Sequence, residues 1–329
     1  MILSFFEKAF LPQRIVLFLL AVLFYLPSFV NPERIEYCGH VNPAYSVVVY
    51  WIGNYPLICN LLSFVLFFVL GIALNKIAFQ LEFIGKINFI PSALLLISSS
   101  FDFHQGRLTA GLFSAIFVLL SLYPILNNKS GTGINFRIFN SSLLIALGSF
   151  FYFSSLWFVF FLWLGLYSIK QLNIRSFLIT VLAVFVCYAY LFSYYYFTDQ
   201  FEYYTYEYTL QLSRIVDFDL LDSTSSVFVA FGIIMLLVGF FAILVMLKKQ
   251  TDGNQLQRSG NRLFRYFFLM TIPLFFLSGT IPSSFAILAL SFSVLVGSFL
   301  SLIKTKLVGD IVLFVWVLVL LINNFDLVL

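Results

Sequence analysis

LLSFVLFFVLGIAL, residues Leu61–Leu74, carries no charge and no alternation of apolar with polar positions. A membrane strand alternates lipid-facing and lumen-facing residues, so a continuous run of this kind excludes a transmembrane β-barrel. It reads instead as part of a helix that crosses a bilayer. Similar runs recur over almost the whole chain of 329 residues, of which 62% are hydrophobic and 10% charged, with 44 phenylalanines. A soluble domain of this length needs more charge than that to cover its surface. The expected fold is all-α: a polytopic transmembrane helical bundle, one domain over residues 1–329, with no soluble domain of useful size. The net charge of +4 gives no reason to expect a nucleic-acid partner.

Hydropathy predicts about eleven spans, at roughly 15–30, 56–74, 87–100, 108–125, 138–151, 154–169, 176–197, 226–247, 264–278, 284–303 and 310–323. The fifth and sixth are short, and FYFSS between them reads as a tight hairpin inside the membrane. MILSFFEKAFLPQRI places Glu7, Lys8 and Arg14 before the first apolar run, with no small-residue cleavage site after it, so the first helix is expected to remain as an anchor. With the N-terminus cytoplasmic, all but Arg34, Arg107 and Arg214 of the 18 lysines and arginines fall on cytoplasmic segments. That bias is what the positive-inside rule demands and supports the count of spans. The expected location is the bacterial inner, or cytoplasmic, membrane.

The acids distribute the other way. Glu33, Glu36, Asp102, Asp199, Glu202, Glu207, Asp217, Asp219, Asp222 and Asp326, of 14 in the chain, fall outside, as do both histidines, His40 and His104. Three outer loops hold most of these groups and all three external arginines. The first, Asn31–Pro56, contains Glu33, Arg34, Glu36 and His40; its second half, AYSVVVYWI, is predicted to lie along the membrane surface as an interfacial helix. The second is SSSFDFHQGR, Ser98–Arg107, with Asp102, His104 and Arg107. The third, Thr198–Ser226, carries Glu202, Glu207 and Arg214 among closely spaced tyrosines. The other outer turns, FYFSS and SGTIPSS, carry no charge at all.

An acid at a membrane–water boundary can deprotonate an acceptor as general base. An arginine can clamp phosphate with its planar fork of donors. Paired acids with a histidine can hold a divalent cation, the candidate cofactor, although no specific metal ligands are assigned. The parts suit transfer of a group from a lipid-linked phosphate donor at the outer face. Each also has a simpler role: solvated loop acids, a snorkelling Arg107 paired with Asp102, an interfacial tyrosine belt. KKQTDGNQLQRSGNRLFR, Lys248–Arg265, is most simply a positive-inside anchor with anionic-lipid contact. KSGTG, Lys129–Gly133, lacks the spacing of a phosphate loop. Cys38, Cys59 and Cys187 are far apart and form neither a disulfide framework nor a structural zinc pattern.

In topology, NPERIEYCGH followed by AYSVVVYWI, then FDFHQGR after the third helix, then FNSSLLIALGSFFYFSSLWFVFFLWLGLYSI resembles the membrane module of GT-C glycosyltransferases. These use polyprenyl-phosphate sugar donors. The resemblance covers about residues 1–200, leaving 201–329 as additional C-terminal helices. It implies Glu33 or Glu36 as the base, Asp102 as a second acid or metal ligand, and Arg107 or Arg214 at donor phosphate. Arg34, His40, His104, Glu202 and Glu207 complete the expected substrate-binding set. The acidic pair of the first loop is separated here, and YFSS replaces the lysine often found in the helical pair. SFFEKAFLPQRI, RIFNSSLLIALGSFFYFSSLWFVFFLW and LFSYYYFTDQ also resemble a family of multispanning inner-membrane proteins from Bacteroidota, a likeness that implies location and no activity.

Two functions follow as expectations. One is a GT-C-like transferase acting on polyprenyl-phosphate-linked glycans of the cell envelope. The other is a non-catalytic membrane subunit, a scaffold of an envelope-assembly or secretion complex with membrane-protein partners. A transporter is disfavoured, because the span interiors hold almost no ionisable residues.

Overall fold

The computed structural model describes Phe6, residues 11–30, Pro32, 42–80, 89–99, 108–126, 133–214, 226–248, 255–277, 281–302 and, beyond these, Gly309, Asp310, Leu313, Phe314, Trp316 and Val317. Among the described residues every regular element is a helix, and there is no strand. The elements are α1 (Leu11–Val30), α2 (Pro43–Ile52), α3 (Pro56–Gln80), α4 (Ile90–Ser99), α5 (Ala110–Leu126), α6 (Ile134–Phe151), a 3₁₀ segment (Phe153–Trp157) and α7 (Phe158–Ser168). Then come α8 (Ile174–Phe197), α9 (Phe201–Arg214), α10 (Ser226–Lys248), α11 (Gln255–Leu277) and α12 (Ile281–Leu302). Each of the first ten expected spans holds a helix, and so does the expected interfacial segment, as α2. Among the described residues, three helices are long and apolar enough to cross a membrane, over Pro56–Phe79, Ile134–Phe151 and Ile174–Phe197. Several shorter apolar helices accompany them.

The centre of the bundle is α12. Every side chain from Ser284 to Ser298 is buried, whichever way it points. It packs on α4, α5, α10 and α11. A helix enclosed on all sides cannot be amphipathic, and here its polar positions are small serines that bond within their own turn. The Oγ atoms of Ser291, Ser293 and Ser298 donate to the carbonyls of Leu288, Leu290 and Leu295 at 3.0, 2.8 and 2.6 Å.

Apolar helices gain nothing from one another's greasiness in lipid, so close contact of surfaces must hold them. The pair α10 and α11 does this with rings on bare backbone. A Cβ added at Gly239 would lie 2.2 Å from Phe268 Cζ, and one at Gly232 would lie 2.3 Å from Phe275 Cζ. Both pairs are seven residues apart and run in opposite senses, so the two helices are antiparallel and repeat one contact every two turns.

Past α12, Trp316 stacks on Phe292 at 5.2 Å and lies 4.9 Å from the Phe231 ring. Its Nε1 donates to Ser98 Oγ at 3.2 Å. Helical residues are thus present within the eleventh expected span, most of which lies outside the described residues.

Both ends of α8 are sharply made. At its start Asn173 Oδ1 accepts from Ser176 N–H at 2.7 Å and Ser176 Oγ accepts from Asn173 N–H at 2.8 Å, a reciprocal capping box. At its end Asp199, at φ 54°, turns the chain, with Gln200 N–H donating to Tyr195 O at 3.0 Å. The end of α7 repeats this arrangement with Lys170 at φ 57° and Gln171 N–H donating to Leu166 O at 2.9 Å. Lys170 and Asp199 therefore stand at the two ends of α8, separated by its 24 residues, about 36 Å of helix.

Candidate functional site

The helical run from Ile134 breaks at Tyr152, whose backbone is extended at φ −142° and ψ 103°. The 3₁₀ segment follows at once, so the expected hairpin at FYFSS starts with an extended residue. Such a break frees backbone donors, and in a dry setting each needs a new partner. Phe153 N–H finds Asn42 Oδ1 at 3.0 Å, 111 residues away in sequence. Asn42 is the residue before α2, where asparagine usually caps its own helix. Its side chain makes no such cap here, and Pro43 at the first helical position leaves no N–H there in need of a partner. The capping group is spent across the bundle instead.

One turn into α2, the Tyr45 hydroxyl donates to Leu108 O at 2.5 Å. Tyr45 is buried. Leu108 is the residue after Arg107, so the ends of the first and second acid-bearing loops meet at α2. The other end of the second loop is Ser98, held by Trp316.

The third loop, Thr198–Ser226, contains the helix α9. Phe201, Tyr204 and Tyr208 recur at helical spacing and dock on α8. The Tyr204 ring stacks on Tyr195 at 3.7 Å, and Phe201 and Tyr208 lie 6.0 and 5.9 Å from the Phe192 ring. Tyr208 also lies 5.3 Å from the Phe153 ring. Burial, first, and then the neighbouring Tyr188, Tyr195 and Tyr204 push its phenol above the usual tyrosine value. Below this cluster, Ser149 Oγ and the Tyr188 hydroxyl lie 2.8 Å apart and join α6 to α8. Asn42 of the first acid-bearing loop and Tyr208 of the third thus both touch Phe153, and Leu108, next to the second, joins them through Tyr45.

Of the expected site residues, Glu202 and Glu207 stand on α9. Glu202 is exposed and Glu207 half-buried. Glu207 is close enough to Tyr203 to raise its phenol, after desolvation as the first cause. Arg214 ends α9. Glu33, Arg34, Glu36, His40, Asp102, His104 and Arg107 lie outside the described residues. Among the described residues no three His, Cys, Asp or Glu side chains cluster as metal ligands.

Protein-family models, curated proteins and solved structures were all compared with this chain, and none matches.

Sequence reasoning missed Asn42, Tyr45 and the docked face of α9 as the parts that gather the loops. For α9 a signal existed in the spacing of Phe201, Tyr204 and Tyr208. For Asn42 the local signal, Asn before Pro, points to a helix cap and not to Phe153.

Proposed function

We propose that the chain is a multi-pass protein of the bacterial inner membrane, a GT-C-like glycosyltransferase or a relative of one. It would act on polyprenyl-phosphate-linked glycans at the outer face. One observation supports this most: the bonds from Asn42 to Phe153 and from Tyr45 to Leu108, together with the Tyr208–Phe153 contact, link residues within or next to all three acid-bearing loops. In this proposal Glu33 or Glu36 takes the proton from the acceptor, Asp102 is the second acid, and Arg107 or Arg214 meets the donor phosphate. Arg34, His40, His104, Glu202 and Glu207 line the polar substrate path. A divalent cation, where present, would neutralise charge on the leaving phosphate.

The test is complementation of a deletion strain, with lipid-linked glycans profiled by mass spectrometry. Glu33→Gln, Glu36→Gln and Asp102→Asn are each compared with wild type at equal membrane abundance. Loss of one glycan product, with its lipid-linked precursor accumulating, is the expected result. An unchanged glycan profile in the deletion strain itself would sink the transferase and leave the scaffold role, which co-purification of a stoichiometric membrane partner would then establish.

A further inference from the structure

At the opposite end of α7 from Phe153, a cleft of about 450 Å³ lies between the α7–α8 turn and α11. Tyr167, Ser168, Lys170, Leu172, Arg262 and Tyr266 line it. Two of these are cations, and among the described residues no carboxylate lines the cleft. Ser168 is 8% exposed, and its Oγ is buried with no hydrogen-bond partner. Arg262 Nε is likewise buried and unpartnered. A buried polar group without a partner costs free energy, and two such groups belong to residues that line this cleft. Two like charges in one cleft add to that cost unless an anion joins them.

Lys170 needs no explanation as a helix cap. The last carbonyls of α7 are already met by backbone donors: Ile169 N–H to Gly165 O, Lys170 N–H to Tyr167 O and Gln171 N–H to Leu166 O. A glycine would hold the turn at φ 57° with less strain, so the lysine side chain is present despite the backbone. Just beyond Leu172, Ile174, Phe177 and Leu178 are exposed on α8, an apolar surface next to a basic cleft.

We propose that this cleft binds a phosphoryl anion, with Lys170 and Arg262 as its cationic pair and Ser168 and the Tyr167 and Tyr266 phenols as further donors. The phosphoryl group could be supplied by the headgroup of an anionic phospholipid, whose chains would follow Ile174, Phe177 and Leu178, or by free phosphate. The site is independent of the transferase proposal, since it lies a helix length from the outer loops.

The full-length protein is reconstituted into nanodiscs of phosphatidylcholine containing a minor fraction of phosphatidylglycerol. After release into detergent, lipid retained per chain is counted by native mass spectrometry. Phosphatidylglycerol should be retained over phosphatidylcholine, and Lys170→Gly or Arg262→Gln should each lower retention about fivefold. Arg175→Gln, an exposed cation outside the cleft, should leave it unchanged. Lys170→Gly removes the charge while easing the turn, so loss of binding by misfolding is separable by its thermal midpoint. If inorganic phosphate instead binds to the wild type and is lost in both cleft variants, free phosphate is the source. Equal retention of the two lipids together with no phosphate binding, or variants indistinguishable from wild type in whichever ligand is bound, would overturn the site.

Discussion

Asn42 Oδ1 accepts the Phe153 N–H at 3.0 Å, closing a loop of 111 residues with one side chain. It links the start of α2 to the break between α6 and α7. Replacing Asn42 by alanine leaves a backbone donor unmet at the break, at a cost of about 1–3 kcal/mol. Asn42→Asp retains an oxygen acceptor in the same place. Thermal unfolding in detergent should show a clear loss for Asn42→Ala and recovery of most of it for Asn42→Asp. Equal losses in both would mean that the hydrogen bond is not what Asn42 contributes.

Phe268 on Gly239 is the tightest ring-on-backbone contact between α10 and α11. Gly239→Leu forces a side chain into space the ring occupies and should destabilise by about 1–3 kcal/mol. The pair Gly239→Leu with Phe268→Ala trades one large group for another and should recover part of the loss. A double-mutant cycle checks this, and strict additivity would deny that the two residues share one space.

Tyr208 gives a pH signature. Its phenol is held neutral by burial above the ordinary tyrosine value of about 10. Folded protein therefore keeps a proton that unfolded chain gives up, so this contribution is complete below about pH 10 and falls as pH rises beyond it. Absorbance titration near the phenolate band, wild type against Tyr208→Phe, should show no Tyr208 ionisation in the ordinary tyrosine range. A normal titration lost on substitution would contradict the docking of α9 on α8.

Lys170→Gly should stabilise the fold by roughly 1 kcal/mol, because a left-handed turn suits glycine better than lysine. A rise in the thermal midpoint checks it. A fall would mean that the lysine side chain contributes more to folding than its strain costs.

How much of this was legible depends on the range of the interaction. The long apolar runs at Leu61–Leu74 and along α8 declared helices because composition alone decides them. The break at FYFSS was also readable, since two spans too short to stand apart must share a turn. By contrast α9 mixes glutamates with tyrosines, and its mean polarity hides the periodic face formed by Phe201, Tyr204 and Tyr208. That face becomes apolar only against Tyr195 and Phe192 of α8. Charge counting put Lys170 and Arg262 on the same side of the membrane, but their shared cleft depends on α11 reaching the α7–α8 turn. Nor does any local pattern at Asn42 reveal a partner at Phe153. The acids of the first two loops were candidates by chemistry alone, and only their flanking residues are described.

The most direct measurement is cysteine cross-linking between the first and second outer loops in intact membranes. Native Cys38, Cys59 and Cys187 are replaced, and Glu36→Cys is paired with Asp102→Cys. Disulfides form readily only when the two Cα atoms approach within about 7 Å, and a short bifunctional thiol reagent extends the reach by a few ångströms. Rapid cross-linking of this pair, and none of Glu36→Cys with a cysteine at the far end of α8 such as Arg175→Cys, is the predicted result. Failure of the Glu36–Asp102 pair to cross-link by either route, in a protein that still reaches the membrane folded, would contradict a shared outer-face site.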